Sequence, residues 1–315
     1  MIGENHRLRP GHVARHLPTG ATATQEIALL DIAQDFLLAH LHEGDVFSMA
    51  VFKGGTALRK LWAGGAGRFS TDIDLAAELQ FAEDRAGVAA MIADLCSCTL
   101  GPFRFSSTAS RGRHVVTVES DLGTLGQTIK LEVGAPVWLT PASRPFVPLG
   151  SHKLYGFPLP ALASMRLEEV IAEKIARLTR QSTARDAYDL VWLATTSPWS
   201  QFDRALVRYL VALKVWVDCH GVGDVWRPAL HPQPFDAATW LAPREEWDDE
   251  AIGLLASPPP TLDTLGGELG RLFGWLADMN AEEARWAEAR AGDRTNILRA
   301  LKSLPGGRLV QLNLY

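Results

Sequence analysis

The sequence predicts a mixed α/β (α+β) domain followed by a helical C-terminal domain. Three observations predict it. Apolar segments up to about Pro136 run in the order αβαβαββ, the pattern turns wholly helical from about Ala161, and Val51 to Leu75 places a glycine turn and two aspartates at the ends of two strands. With 315 residues, 47% of them hydrophobic, the chain can bury one large core or two modest ones.

The elements follow in order. Gln25 to His40 carries Ile27, Leu30, Asp31, Ala33, Gln34, Leu37, Leu38 and Leu41 on one broad stripe, apolar with polar breaks, and Thr24 is placed to cap it. Phe47–Phe52 is expected as a strand, Ala57–Trp62 as a short helix and Thr71–Ala76 as a second strand. Asp84–Leu100 is expected to be helical. His114–Val118 and Thr128–Val133 are expected as strands, with turn glycines Gly123 and Gly126 between them. Further helices are expected over Ser164–Arg180, Thr183–Ala194 and Gln201–Cys219, the last breaking at Gly221 and Gly223, and over Leu262–Arg290 paired with Asn296–Leu304. The expected division is an extension at 1–24, a first domain at 25–150 and a second at 151–315, in contact across a cleft. Residues 231–262, rich in Pro, Trp and acid, form a connector.

Composition limits the function classes. A net charge of −5 excludes a polybasic nucleic-acid binder, so any RNA contact needs a local patch. Two patches qualify: Arg104, Arg111, Arg113 and His114, and Arg166, Lys174, Arg177, Arg180 and Arg185. No apolar run is long enough to cross a membrane, and the first 18 residues lack the apolar core of a secretory signal. Cys96, Cys98 and Cys219 have neither disulfide nor zinc spacing, so a cytoplasmic location is expected.

The chemistry concentrates in three places. Asp72 and Asp74, two apart on a strand, project to one side while Ile73 and Leu75 go to the other. Two carboxylates this close repel, and a divalent cation relieves the repulsion; Mg²⁺ takes carboxylates plus substrate phosphates. On "TIKLEVG", Glu132 shares a face with Lys130 and becomes a third acid if that strand neighbours the first. Gly54 and Gly55 let the backbone approach a ligand, and Thr56 opens a helix whose first amides suit phosphate, with the Ser70 hydroxyl two residues before Asp72. Lys174, by contrast, sits in an apolar stripe. At about 100° per residue, Leu167, Val170, Ile171 and Leu178 fall beside it, while Glu168, Glu169, Glu173 and Arg180 lie elsewhere. An ammonium there must snorkel or meet an anion. Asp186 repeats the anomaly beside Leu190 and Leu193. Pairing with a nearby cation and a direct catalytic role remain equally open for it, and Asp189 is read as structural.

Together "FKGGTALRKLW", "GRFSTDIDLA", "IKLEVG" and "EEVIAEKIARLTRQSTARDAYDLVWL" resemble the AbiEii family, nucleotidyltransferase toxins of abortive-infection toxin–antitoxin systems, over roughly residues 25–195. The resemblance implies a DNA polymerase β-type nucleotidyltransferase fold with a helical C-terminal domain. It implies Asp72 and Asp74 as ligands of Mg²⁺ (or Mn²⁺), Lys174 as the triphosphate-binding lysine, and Asp186 as a further essential acid. Ser70 matches the serine of the family's S-x-D-x-D motif, where modification would silence the site. It also implies transfer of NMP from an NTP to the 3′ end of tRNA, which blocks aminoacylation and translation, and a separately encoded, DNA-binding, AbiEi-like antitoxin. The turn departs from the superfamily's Gly-Ser with its shorter gap to the first aspartate. The Trp-rich region from Trp216 to Trp286 matches no motif, and either selects a substrate or partner or packs helices. Two other readings stay open: transfer to a small-molecule or protein hydroxyl, and a non-catalytic subunit that grips RNA or antitoxin.

Overall fold

The computed structural model describes residues 2–110, 113–181, 183–196, 200–220 and 236–308. Arg111, Gly221, Gly223 and residues 231–235 of the expected connector lie outside them, as does the side chain of Arg180. The chain forms two compact units. The first comprises Met1–Val137, Pro141–Met165 and Asp249–Pro258; the second comprises Trp138–Thr140, Arg166–Asp248 and Pro259–Tyr315. The boundary follows Met165 rather than residue 150, the first 24 residues belong to the first unit, and part of the expected connector returns to it.

The first unit holds a mixed sheet of eight strands. They are β1 Ala50–Lys53, β2 Ile73–Ala77, β3 Thr99–Leu100, β4 Phe103–Ser110, β5 Arg113–Ser120, β6 Thr128–Gly134, β7 Ala142–Pro145 and β8 Ala161–Ser164, in the order β3-β4-β5-β6-β2-β1-β8-β7. Two neighbouring pairs, β2/β6 and β1/β8, are parallel; the others are antiparallel. After the short helix α1 (Pro10–Ala14) comes α2 (Gln25–Glu43), capped by the Thr24 hydroxyl and buried on nearly every face, as expected of a helix inside a core. Its polar breaks Asp31, Gln34 and Asp35 are buried too.

Several elements differ from expectation, each for a local reason. Val46–Ser48 forms a tight turn behind Asp45, whose φ is 56°, so β1 starts only at Ala50. Helix α3 (Gly54–Leu58) starts at the first turn glycine and runs on into a wider turn at Arg59–Ala63. The next helix, α4 (Arg85–Leu95), stops well before Leu100, because Cys98 and Phe105 exchange backbone hydrogen bonds at 3.1 and 2.8 Å and draw the chain into β3. Strands β7 and β8, "ASRP" and "ALAS", carry too little alternation to announce themselves; the sheet edge at β1 recruits β8, with Phe52 opposite Ser164.

The second unit is helical. Its helices are α5 Leu167–Arg180, α6 Ala184–Thr195, α7 Arg204–His220, α8 Ala237–Leu241, α10 Leu262–Phe273, α11 Ala281–Ala287 and α12 Arg294–Lys302; α9, Asp249–Ile252, lies in the first unit. The helix expected over Leu262–Arg290 is interrupted at Gly274–Asp278 and restarts behind Asn280, which with Glu283 forms a reciprocal cap. Glu169, expected off the core face, is fully buried. Its carboxylate accepts from the amides of Trp138 and Leu139 at 2.8 and 2.9 Å and from Lys214 Nζ at 3.0 Å, so α5 is covered on a second side by α7. Among the described residues, the tryptophans of this region pack helices. Trp216, Trp240 and Trp286 are buried, and the indole N–H groups of Trp216, Trp247 and Trp275 donate to the carbonyls of Arg290, Pro260 and Leu272.

Candidate active site

The register of three adjacent strands assembles the acids. Lys53, the last residue of β1, stands opposite Asp74 on β2, and Asp74 stands opposite Glu132 on β6. A cation and two carboxylates therefore lie in one row across the sheet, about 4.8 Å from strand to strand. Asp72 lies just ahead of β2. Ile73 and Leu75 are buried while Asp72 and Asp74 are half-exposed, which is the alternation expected of them. Glu132 does neighbour the first acidic strand, and its Oε1 lies 3.2 Å from Arg113 Nε, with both side chains largely exposed. A cleft of about 470 Å³ opens beside Glu132, lined by Glu83, Arg85, Arg113, His114, Leu131 and Glu132 among others.

Behind the row, the glycine turn is shaped by its neighbours. Gly54 has φ +79°, and a Cβ there would collide with the Asp74 carboxylate. Thr56 is fully buried and its hydroxyl donates to the Asp72 carbonyl, stapling α3 to the acidic strand. Its hydroxyl is thus committed to the backbone, which leaves the first-turn amides as the groups α3 offers to a ligand.

A buried charge network fixes this turn from below, and no motif pointed to it. Asp31 receives Lys60 Nζ at 2.6 Å, Arg59 Nη2 at 3.2 Å and His16 Nε2 at 2.7 Å. Asp35 Oδ1 is ion-paired with Lys60 Nζ at 2.8 Å, and its Oδ2 accepts from the Tyr155 hydroxyl at 2.6 Å. Burial pushes the Asp31 carboxyl up, yet Arg59, Lys60 and His16 together hold it well below the usual carboxylate range. Asp35 is lowered in the same way, by Lys60 and His152 against burial. The network reaches the acidic strand. Arg59 Nη1 donates to the Gly67 carbonyl at 2.6 Å and its guanidinium lies 3.9 Å from the Phe69 ring centre, while Gln34 Nε2 donates to the Ser70 carbonyl at 3.0 Å. The available signal was the set of polar breaks in the Gln25–His40 stripe, which sit one helical turn apart.

In the second unit, Lys174 is 11% exposed, and its Nζ lies 3.0 Å from Asp186 Oδ1 and 2.8 Å from Asp189 Oδ2. Asp186 also receives Arg177 Nε at 3.2 Å and the Thr183 hydroxyl at 2.9 Å. Burial raises the Asp186 carboxyl, and Lys174 and Arg177 more than offset this, holding it far below its ordinary value. The anion that Lys174 meets within its own unit is this aspartate pair.

The expected basic patches are partly neutralised. Arg104 pairs with Glu119 and Asp121 at 3.2 and 3.1 Å, and it sits at the opposite end of the β4–β5 hairpin from Arg113, about 20 Å away. Arg166 pairs with Glu168. The cysteines are free; burial pushes Cys96 up to about 12 and Cys98 up to about 11, so neither is a reactive thiol.

The donor set fits a hard divalent cation. Asp72 and Asp74 alternate onto one side, Asp74 is seated against a turn with no Cβ in its way, and Mg²⁺ needs only one or two protein carboxylates when phosphates complete its shell. Among the described residues no three of His, Cys, Asp or Glu are already gathered as a metal cage, and Glu132 stands in register but engaged by Arg113.

A mixed sheet with a glycine turn on one strand and acids on its neighbours is the architecture of a nucleotidyltransferase, and the comparisons agree. The family described as "Nucleotidyl transferase AbiEii toxin, Type IV TA system" matches residues 35–278, and the chain belongs to that family. It is similar to the solved structure of MenT4, a nucleotidyltransferase toxin from Mycobacterium tuberculosis H37Rv, with 34% identity and a TM-score of 0.80 over 94% of this chain and 99% of that one. A structure of Cid1, titled for its RNA terminal uridylyl transferase activity, aligns at 11% identity and a TM-score of 0.27 over 84% of this chain and 68% of that one, too distant to bear on the function. Comparison with curated proteins gives no match. Membership makes the chain a nucleotidyltransferase of a toxin–antitoxin family, with an antitoxin as its implied partner. Among the described residues no helix is long and apolar enough to cross a membrane.

Proposed function

We propose that this toxin transfers NMP from an NTP to the 3′ end of tRNA in the cytoplasm, which blocks aminoacylation and translation. The observation that carries the transfer chemistry is the register Lys53–Asp74–Glu132 beside a glycine turn moulded on the Asp74 carboxylate. Asp72 and Asp74 would hold Mg²⁺ or Mn²⁺, with Glu132 as a third ligand once released from Arg113. The metal, when bound, lowers the pKa of the acceptor hydroxyl and offsets charge on the triphosphate. The backbone of Gly54, Gly55 and Thr56 and the Ser70 hydroxyl would hold phosphate oxygens. The acceptor 3′ hydroxyl gives up its proton to solvent, and its oxygen bonds to the α-phosphorus as the α–β bridge breaks and pyrophosphate leaves. Lys174 would offset charge on that leaving group, with Asp186 and Asp189 holding its ammonium in place.

In the cleft beside Glu132, Arg85, Arg113 and His114 are the groups a polyanionic acceptor would meet, alongside the carboxylates of Glu83 and Glu132. Mass analysis of total tRNA after incubation with the chain, each NTP and Mg²⁺ tests the proposal. Intact tRNA accompanied by species heavier by one or more nucleotides is expected. Unchanged tRNA mass with every NTP would move the acceptor elsewhere.

A further inference from the structure

We propose that Arg68 is a direct ligand of the nucleotide's triphosphate. The proposal deepens, and rests on, the nucleotidyl-transfer reading of the same turn. Gly54 is glycine for a backbone reason, its positive φ, but Gly55 does not lie in the left-handed region. What Gly55 lacks is room. A Cβ built there would lie 2.8 Å from Arg68 Nη2 and 3.0 Å from Ser70 Oγ. The turn therefore has two edges: Gly54 lies against the Asp74 carboxylate, and Gly55 lies against a guanidinium and a hydroxyl. A metal–triphosphate needs both, carboxylate for the cation and N–H and O–H donors for the phosphoryl oxygens.

Arg68 is built into this edge. It is only 8% exposed, and its Nη1 donates to the Phe69 carbonyl at 3.0 Å. The chain on either side is pinned, Gly67 by Arg59 and Ser70 by Gln34, so the guanidinium is held ready at little further entropy loss on binding. A planar fork matches two phosphate oxygens at once, a geometry that lysine cannot reproduce.

The test is equilibrium binding to the full chain, with Mg²⁺, of a non-hydrolysable α,β-methylene NTP and of the matching NMP. Arg68→Lys is expected to keep its melting curve and its NMP affinity while its NTP affinity falls about tenfold or more, the loss of one charge-assisted contact. Arg68→Gln, which keeps a planar amide head without the charge, is expected to give the same triphosphate-selective loss, so a misfolded Arg68→Lys leaves a second reading. NTP affinity within about twofold of the wild-type in either folded variant overturns the proposal, as does an equal loss for NTP and NMP. If the wild-type chain itself binds no NTP, the nucleotidyl-transfer reading of the turn fails with it.

Discussion

Gly54 shows how one residue can be fixed by two demands. Its φ of +79° excludes a side chain on backbone grounds, and the Asp74 carboxylate excludes one on spatial grounds. Gly54→Ala is expected to lose about 1–3 kcal/mol of stability from strain and to lower transfer activity by about two orders of magnitude, because the displaced group is the Asp74 carboxylate. Thermal melts and single-turnover rates on the same preparation check both. The placement of Asp72, Asp74 and Gly54 at one end of the sheet was legible because the signal is local: a turn glycine, and alternation along a single strand. Lys53 and Arg68 were not. Lys53 takes its place only from the β1–β2 register, and Arg68 from a loop folding back on Gly55. Asp186 was left between two roles, and its contacts with Lys174, Arg177 and Thr183 are those of a pairing group.

At the scale of elements, α2 lies beneath the candidate site. Its Asp31 takes both cations that follow α3, Arg59 and Lys60, all at 3% exposure or less. Removing it leaves buried Arg59 without a carboxylate and Lys60 with Asp35 alone, so Asp31→Ala is expected to destabilise the chain by about 3–5 kcal/mol, measured by denaturant unfolding. A loss under about 1 kcal/mol would mean that Asp35 alone suffices. Arg104, on the far end of the β4–β5 hairpin and engaged by Glu119 and Asp121, is a solvated pair. Arg104→Ala is expected to change neither melting temperature nor tRNA affinity, whereas Arg113→Ala, beside the cleft, is expected to weaken tRNA binding and to flatten its salt dependence. The strands that carry acids were readable because their apolar residues alternate cleanly; β3, β7 and β8 exist because neighbouring edges need partners, which is long-range information. Helix α5 misled in one respect, because a helix buried on two sides hides Glu169 where a single apolar stripe predicts solvent.

For the whole molecule, three buried carboxyls set the acid limit. Asp31, Asp35 and Asp186 all titrate below their ordinary value of 3.8 in the folded state. A depressed carboxyl contributes stability that is complete above its unfolded value and is lost as pH falls through its folded value. Melting temperature is therefore expected to fall most steeply below pH 3.8. A main loss centred near about pH 6 would instead assign control to histidines such as His6, whose value burial lowers. The central claim, nucleotidyl transfer to RNA by the acids beside the glycine turn, is tested most directly with α-labelled NTP, Mg²⁺ and purified tRNA, comparing the wild-type chain with Asp74→Asn. The expected result is 3′-terminal label on tRNA with the wild-type chain and a rate lower by about two orders of magnitude or more in a variant that melts normally. Equal labelling by both chains, or none by the wild-type chain with any of the four NTPs, would contradict it.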